Sequence, residues 1–323
     1  MSSGTVRGTD ARAFVKCFNG ICQWNNGWDR WNDMINLFAI ELANTVDLNH
    51  KDQRNETYKR IAAKYKPEEF RQFGELFTIL VESLERNPFQ DFLGQMYMEL
   101  DMGSKSHGQC FTPFGVCQAM ASMAMPEEMV RKQLDERGWI SINDCACGAG
   151  ATLIAAAERL MQMGVNYQQH ALFVAQDLDS TVAMMCYVQL SLIGCPGRVR
   201  IGDTLTNPDI GDILLGDGSA NTWYMPMFYS YPWQGRVIVR WMDRLIGVRK
   251  PIPEQEETGT GEHSGKTGKA RESVSECPEM TVIDQKAEQN TPKAYQTPEL
   301  LTAKRTRRSM SEGQLMFDLT GGM

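Results

Sequence analysis

The sequence predicts an α/β fold in which a parallel sheet with crossover helices follows a helical half. Three observations carry this. Apolar residues recur at helical spacing through residues 10 to 100. From residue 139 short apolar strands alternate with helical runs. Beyond about residue 250 the chain turns polar, as in PIPEQEETGTGEHSGKTGKARESVSE, a composition that cannot bury enough apolar surface to fold alone.

Taken in order, Trp31, Met34, Ile35, Phe38 and Ala39, and again Phe77, Ile79, Leu80 and Leu84, mark the inner faces of helices. Trp24, Trp28 and Trp31 fall at i, i+4 and i+7 on one helix face, which reads as a core stripe rather than a base-stacking platform. WISIND is the first strand. GATLIAAAERLMQMG is a helix in which Leu153, Ala156, Ala157 and Leu160 share a face and Gly164 can cap the end. ALFVAQ is the second strand and leads to Asp177. STVAMMCYVQLSLIG is a helix with a cap at Ser180 and a stop at Gly194, and RVRIGD is the third strand. For Asp179 helix capping outweighs ligand contact. Such βαβαβ order implies parallel strands joined by right-handed crossovers. The expected domains are residues 1–104, helical; 105–249, the α/β core; and 250–323, a disordered tail that ends in an apolar patch at 313–319.

Composition narrows the function classes. Hydrophobic residues make up 42% and charged residues 23% of the 323 residues, with no run of about eighteen apolar residues, so a membrane span is not expected. The N-terminal stretch MSSGTVRGTDARAF has no apolar signal core, and the expected address is cytoplasmic. Nine cysteines at irregular spacing then read as reduced thiols. A net charge of -7 gives no global basic field for nucleic acid, although local basic patches can sit on an acidic protein.

The chemistry concentrates in INDCACGAG, where the first strand ends and a small-residue helix begins. Ligands of open α/β sheets bind outside the carboxyl ends of the strands, against a helix N-terminus. Gly148 and Gly150 stand there, and glycine lets a ligand lie directly on the main chain. A nicotinamide fingerprint wants a third glycine where this chain has Leu153. A zinc site wants two to four residues between its cysteines, but Cys145 and Cys147 have one between them and the four histidines are scattered, so no metal is expected. The two cysteines read as small packing residues. Asp144, Asp177 and Asp203 follow successive strands, and carboxylates there can accept hydrogen bonds from an amine, a ribose diol and an adenine amine.

Together these segments resemble the S-adenosylmethionine-binding half of N6-adenine DNA methyltransferases, in particular the modification subunits of type I restriction-modification systems and their phage and plasmid relatives. The resemblance spans about residues 88 to 226. Gly108-Gln109-Cys110-Phe111-Thr112-Pro113 resembles the family's Gly-Gln-x-Phe/Tyr-Thr-Pro segment. Asp144 to Gly150 resembles its Asp-Pro-Ala-Cys-Gly-Ser/Thr-Gly turn, with Cys145 in place of the proline. Ala175-Gln176-Asp177 resembles its Gly-Gln-Glu, and Gly202-Asp203-Thr204-Leu205 its Gly-Asp-Thr-Leu. The resemblance implies a Rossmann-like methyltransferase core with a shortened sheet, and S-adenosylmethionine as cofactor. It implies that Asp144, Ala146, Cys147, Gly148 and Gly150 hold the methionine portion, Asp177 the ribose and Asp203 the adenine. Phe111, Thr112 and Pro113 would form a lid; the alternative, compatible with it, is that Phe111 is core and Thr112 caps a helix that begins at Pro113.

The family's Asn/Asp-Pro-Pro-aromatic turn, which receives a flipped target base, is absent. Asn221-Thr222-Trp223-Tyr224-Met225-Pro226 stands in its general region with an amide, two rings and a proline in another arrangement. This segment reads either as a variant catalytic turn carried by Asn221, Trp223, Tyr224 and Pro226, or as a structural aromatic corner. The function expected is thus adenine N6-specific DNA methyl transfer, or else a cofactor-binding, DNA-associated regulator that does not transfer. DNA, and a specificity subunit or a second copy, are the implied partners. The tail peptide with Gln314, Leu315, Phe317 and Leu319 resembles the peptides that dock bacterial proteins on the sliding clamp.

Overall fold

A computed structural model describes residues 6–21, 26–102, 111–209, 211–216 and 218–246. Trp24, Gly108, Gln109 and Cys110, the tail expected at 250–323 and its Gln314, Leu315, Phe317 and Leu319 lie outside the described residues. The described residues fall in one compact unit, within residues 1–250.

Helices α1 (Gly8–Gly20), α2 (Gly27–Asn44), α3 (Lys51–Ala62), α4 (Pro67–Arg86) and α5 (Phe92–Glu99) build the first layer. Local chemistry sets their starts. The Asn26 side chain accepts the Asp29 N–H at 2.7 Å, and Pro67 opens α4 while Glu69 accepts the Lys66 N–H at 2.9 Å. Trp31 is fully buried and meets Phe14, Phe18 and Tyr97 edge to face at 5.6–6.1 Å. The expected stripe stops there, because Trp28 is 43% exposed.

Helices α6 (Phe114–Ala124) and α7 (Glu127–Arg137) lead to β1 (Ile140–Asp144); then come α8 (Ala151–Gln162), a single turn α9 (Tyr167–His170), β2 (Ala171–Asp177), α10 (Ser180–Leu192) and β3 (Gly197–Ile201). These three strands are parallel, as expected, in the order β1-β2-β3 with Ile140 opposite Ala171 and Phe173 opposite Gly197. Gly197 is required at that crossing: its φ is +142° and a Cβ would lie 1.8 Å from the Phe173 carbonyl oxygen. The cap of α10 is Asp179 rather than Ser180, because its carboxylate reaches the N–H groups of Thr181 at 2.8 Å and Val182 at 3.3 Å.

Strand β4 (Thr222–Tyr224) adds to the outer edge of β3 in antiparallel sense, which makes the sheet mixed and four-stranded among the described residues. A 3-10 turn (Pro226–Tyr229) and helix α11 (Trp233–Ile246) follow. One sheet face, with Ile140, Phe173 and Ala175, enters the main core beneath α8 and α10. Leu172 on the other face meets Leu214, Phe228 and Trp233.

The helical layer packs onto the sheet through α10, where the Trp31 indole N–H points at Met185 Sδ at 3.4 Å. The main core therefore runs without a break from Phe14 and Trp31 to Phe173, across the boundary expected at residues 104 and 105. No helix of the described residues is long and apolar enough to cross a membrane.

Candidate functional site

The turn after β1 is built on backbone that only glycine adopts readily. Gly148 has φ +52° and Gly150 φ +94°. A Cβ on Gly150 would stand 2.9 Å from Cys186 Sγ, and one on Gly148 would stand 3.4 Å from the Phe111 ring. Phe111 itself rests on Tyr97, ring centroids 5.5 Å apart, so the aromatic wall over the turn is anchored in the helical layer. Its neighbour Pro113, not Thr112, is the N-cap residue of α6, which begins at Phe114.

Carboxylates at the strand ends hold the turn open. Asp144 accepts the Ala146 N–H at 3.1 Å through Oδ1 and the Thr152 hydroxyl through Oδ2. Asp177 accepts the Gly148 N–H at 2.8 Å through Oδ2 and the Asp179 N–H at 3.0 Å through Oδ1. Each carboxylate oxygen keeps a second lone pair for a ligand hydroxyl or amine. The Cys147 N–H donates to the Gln176 carbonyl at 3.0 Å and ties the turn to β2.

One cleft gathers Phe111, Thr112, Asp144, Ala146, Cys147, Gly148 and Asp177 from the residues singled out in the sequence. Pro113, Gly150 and Asp203 do not line it. Asp203 folds back on its own loop, accepting the Leu205 N–H at 2.9 Å and the Thr206 hydroxyl at 3.0 Å, and these bonds hold its carboxyl below the ordinary range. Thr204 donates to the Cys145 carbonyl at 2.5 Å, which fastens that loop to the glycine turn.

Sequence reading missed three participants. Asp91 lines the same cleft from the start of α5. Thr152 is the partner of Asp144. Gln189 is fully buried and donates to Asp91 Oδ1 at 2.9 Å and to the Ala149 carbonyl at 2.8 Å. The signal available was a glutamine amid the apolar residues of α10.

Of the two cysteines expected to pack, Cys147 is buried, together with Cys186, whereas Cys145 is exposed. The hydrogen bond with Cys147, followed by burial, pushes the Cys186 thiol well up. Among the described residues no three His, Cys, Asp or Glu side chains are placed to hold a metal ion.

The segment 221–226 lies elsewhere. Strand β4 is separated from β1 by two strands, about 14 Å at ordinary strand spacing. Its antiparallel course sets Asn221 at the carboxyl end of β3, where its carbonyl accepts the Ile201 N–H at 2.9 Å, and carries Tyr224 and Pro226 toward the opposite end, Tyr224 facing Arg198. The Arg54 guanidinium covers the Trp223 ring at 4.4 Å while its Nη2 donates to Asp47 at 2.8 Å. Tyr187 meets Trp223 edge to face at 5.6 Å and donates to the Tyr224 carbonyl at 3.3 Å. Tyr224 stacks on Phe228 at 5.3 Å. None of Asn221, Trp223, Tyr224 or Pro226 lines the cleft.

Residues 90–227 match the model of the family described as N-6 DNA Methylase. Over 167 residues the chain is 26% identical to the type I restriction enzyme MjaIX methylase subunit of Methanocaldococcus jannaschii, an alignment covering 51% of this chain and 26% of that relative. The chain thus spans about a quarter of that relative's length. No solved structure matches the chain.

Proposed function

We propose, from the match of residues 90–227 to the N-6 DNA Methylase model, that the chain binds S-adenosylmethionine at the glycine turn, on a Rossmann-like methyltransferase core, and serves adenine N6-specific methylation of DNA. The observation that carries this is the cleft itself: a main chain bared by Gly148, a Phe111 wall and the Asp144 and Asp177 carboxylates, all at the carboxyl ends of parallel strands. These residues fit a nucleoside bearing an amino acid. Asp144 and the backbone of Ala146, Cys147, Gly148 and Gly150 hold the methionine portion, Asp177 takes ribose hydroxyls, and Asp203 takes the adenine amine from its loop tied to Cys145. Phe111, Thr112 and Pro113 cover the cleft.

When bound, the cofactor supplies an electrophilic methyl group. The protein's part is positioning: the strand-end carboxylates orient the ligand, Phe111 excludes water, and the target amine is presented by a base out of its stack. DNA is the substrate in this reading, and a specificity subunit or a second copy contributes sequence recognition.

A second reading rests on one observation. Trp223 and Tyr224 are engaged with Arg54, Tyr187 and Phe228 rather than lining the cleft, which favours an aromatic corner and a protein that binds cofactor without transferring. Incubating the purified chain with methyl-labelled S-adenosylmethionine and mixed-sequence DNA separates the two. Label recovered as N6-methyladenine supports the enzyme, bound label without transfer supports the second reading, and the absence of both binding and transfer removes both readings.

A further inference from the structure

Asp91 is a buried carboxylate facing the cleft, with no cation against it among the described residues. It is 4% exposed. Oδ1 accepts the Gly94 N–H at 3.0 Å and the Gln189 amide at 2.9 Å, whereas Oδ2 makes no hydrogen bond and meets no Lys, Arg or His among the described residues. As the N-cap of α5 this position needs only an oxygen acceptor, which serine, threonine or asparagine supplies without charge. Burying an uncompensated carboxylate is costly, so the charge asks for a reason beyond capping.

The surroundings seat that charge deliberately. A Cβ on Gly94 would lie 2.1 Å from Asp91 Oδ2, so any side chain there would expel the carboxylate. Gln189 bridges Asp91 to the Ala149 carbonyl and accepts the Leu93 N–H at 2.9 Å, which fixes the carboxylate relative to the glycine turn. Asp144 and Asp177, the other charged groups lining the cleft, are also acidic. Cys117 lines the cleft with Asp91 and Asp144, and burial and then these two carboxylates push its thiol up to about 11. No described group lining the cleft supplies a compensating cation, and a cationic group of the ligand fits that place.

Resting on the S-adenosylmethionine reading, we infer that Asp91 Oδ2 is the anionic partner of the ligand's α-ammonium group. The ammonium fits better than the sulfonium because it donates hydrogen bonds to open lone pairs, which a sulfonium cannot do. Neutral ribose and adenine groups would leave the charge uncompensated.

Calorimetric titration of the full chain with S-adenosylmethionine, S-adenosylhomocysteine and 5′-methylthioadenosine tests this, since the last keeps the nucleoside and sulfur but lacks the amino acid. Asp91→Asn keeps the cap and the shape; it is expected to weaken the two amino-acid ligands roughly tenfold to hundredfold and 5′-methylthioadenosine less than about twofold. Asp91→Ser, a second uncharged cap, gives the same split. Unchanged S-adenosylhomocysteine affinity in Asp91→Asn, or equal loss for all three ligands, overturns the inference while the cofactor reading stands. Failure of the wild-type chain to bind any of the three removes that reading and the inference with it.

Discussion

At Asp91 the same buried charge that serves a cationic ligand burdens the protein without one. Burial raises its carboxyl pKa above the ordinary aspartate value of 3.8, against the opposing bonds from Gln189 and Gly94. A carboxyl raised in the folded state contributes stability below the unfolded pKa and loses it as pH rises through the folded value. Asp91→Asn in the ligand-free protein is therefore expected to be more stable than wild type at neutral pH, by about 1 kcal/mol, with the gain shrinking as pH falls toward 3.8; thermal melting across pH reads this out. Gly150 is the opposite case. Alanine there must adopt φ +94° and press on Cys186 Sγ at 2.9 Å, so Gly150→Ala is expected to lose about 1–3 kcal/mol in chemical denaturation. Gly148, Gly150 and Asp144 were legible because their spacing is local. Asp91 and Gln189, 98 positions apart, become partners only when α5 packs on α10.

Among the elements, the parallel strands were legible because short apolar runs alternate with helical ones, β1 and β2 ending at Asp144 and Asp177 and each leading to a helix. Strand β4 was not, since three residues give no period and its place depends on the distant register of Tyr224 with Arg198. That register separates the two readings of 221–226. Trp223→Ala removes the surface under Arg54 and against Tyr187 and is expected to lower stability by about 2–4 kcal/mol, while S-adenosylmethionine affinity of the folded protein stays unchanged. The milder Trp223→Phe is expected to melt near wild type. If it folds, binds the cofactor normally and yet abolishes methyl transfer that the wild type performs, the segment is a catalytic turn and the corner reading fails.

For the molecule as a whole, the helical layer is part of the site. Tyr97 props Phe111, Asp91 stands at the cleft, and Trp31 contacts Met185 on the sheet's own helix. The sequence suggested a helical half and an α/β half, but it held no sign that their cores merge, because hydrophobic periodicity tells which face is buried and not against what. Four strands and about a quarter of the relative's length leave the target-base pocket as the part of the proposed enzyme least represented in the described residues. The cofactor cleft is the part most fully built. Equilibrium titration of S-adenosylmethionine into the full wild-type chain, in the absence of DNA, therefore tests the central claim most directly. One binding site per chain, with micromolar or tighter affinity and weakened by Asp177→Ala, is the expected result; no saturable binding at millimolar cofactor would contradict it.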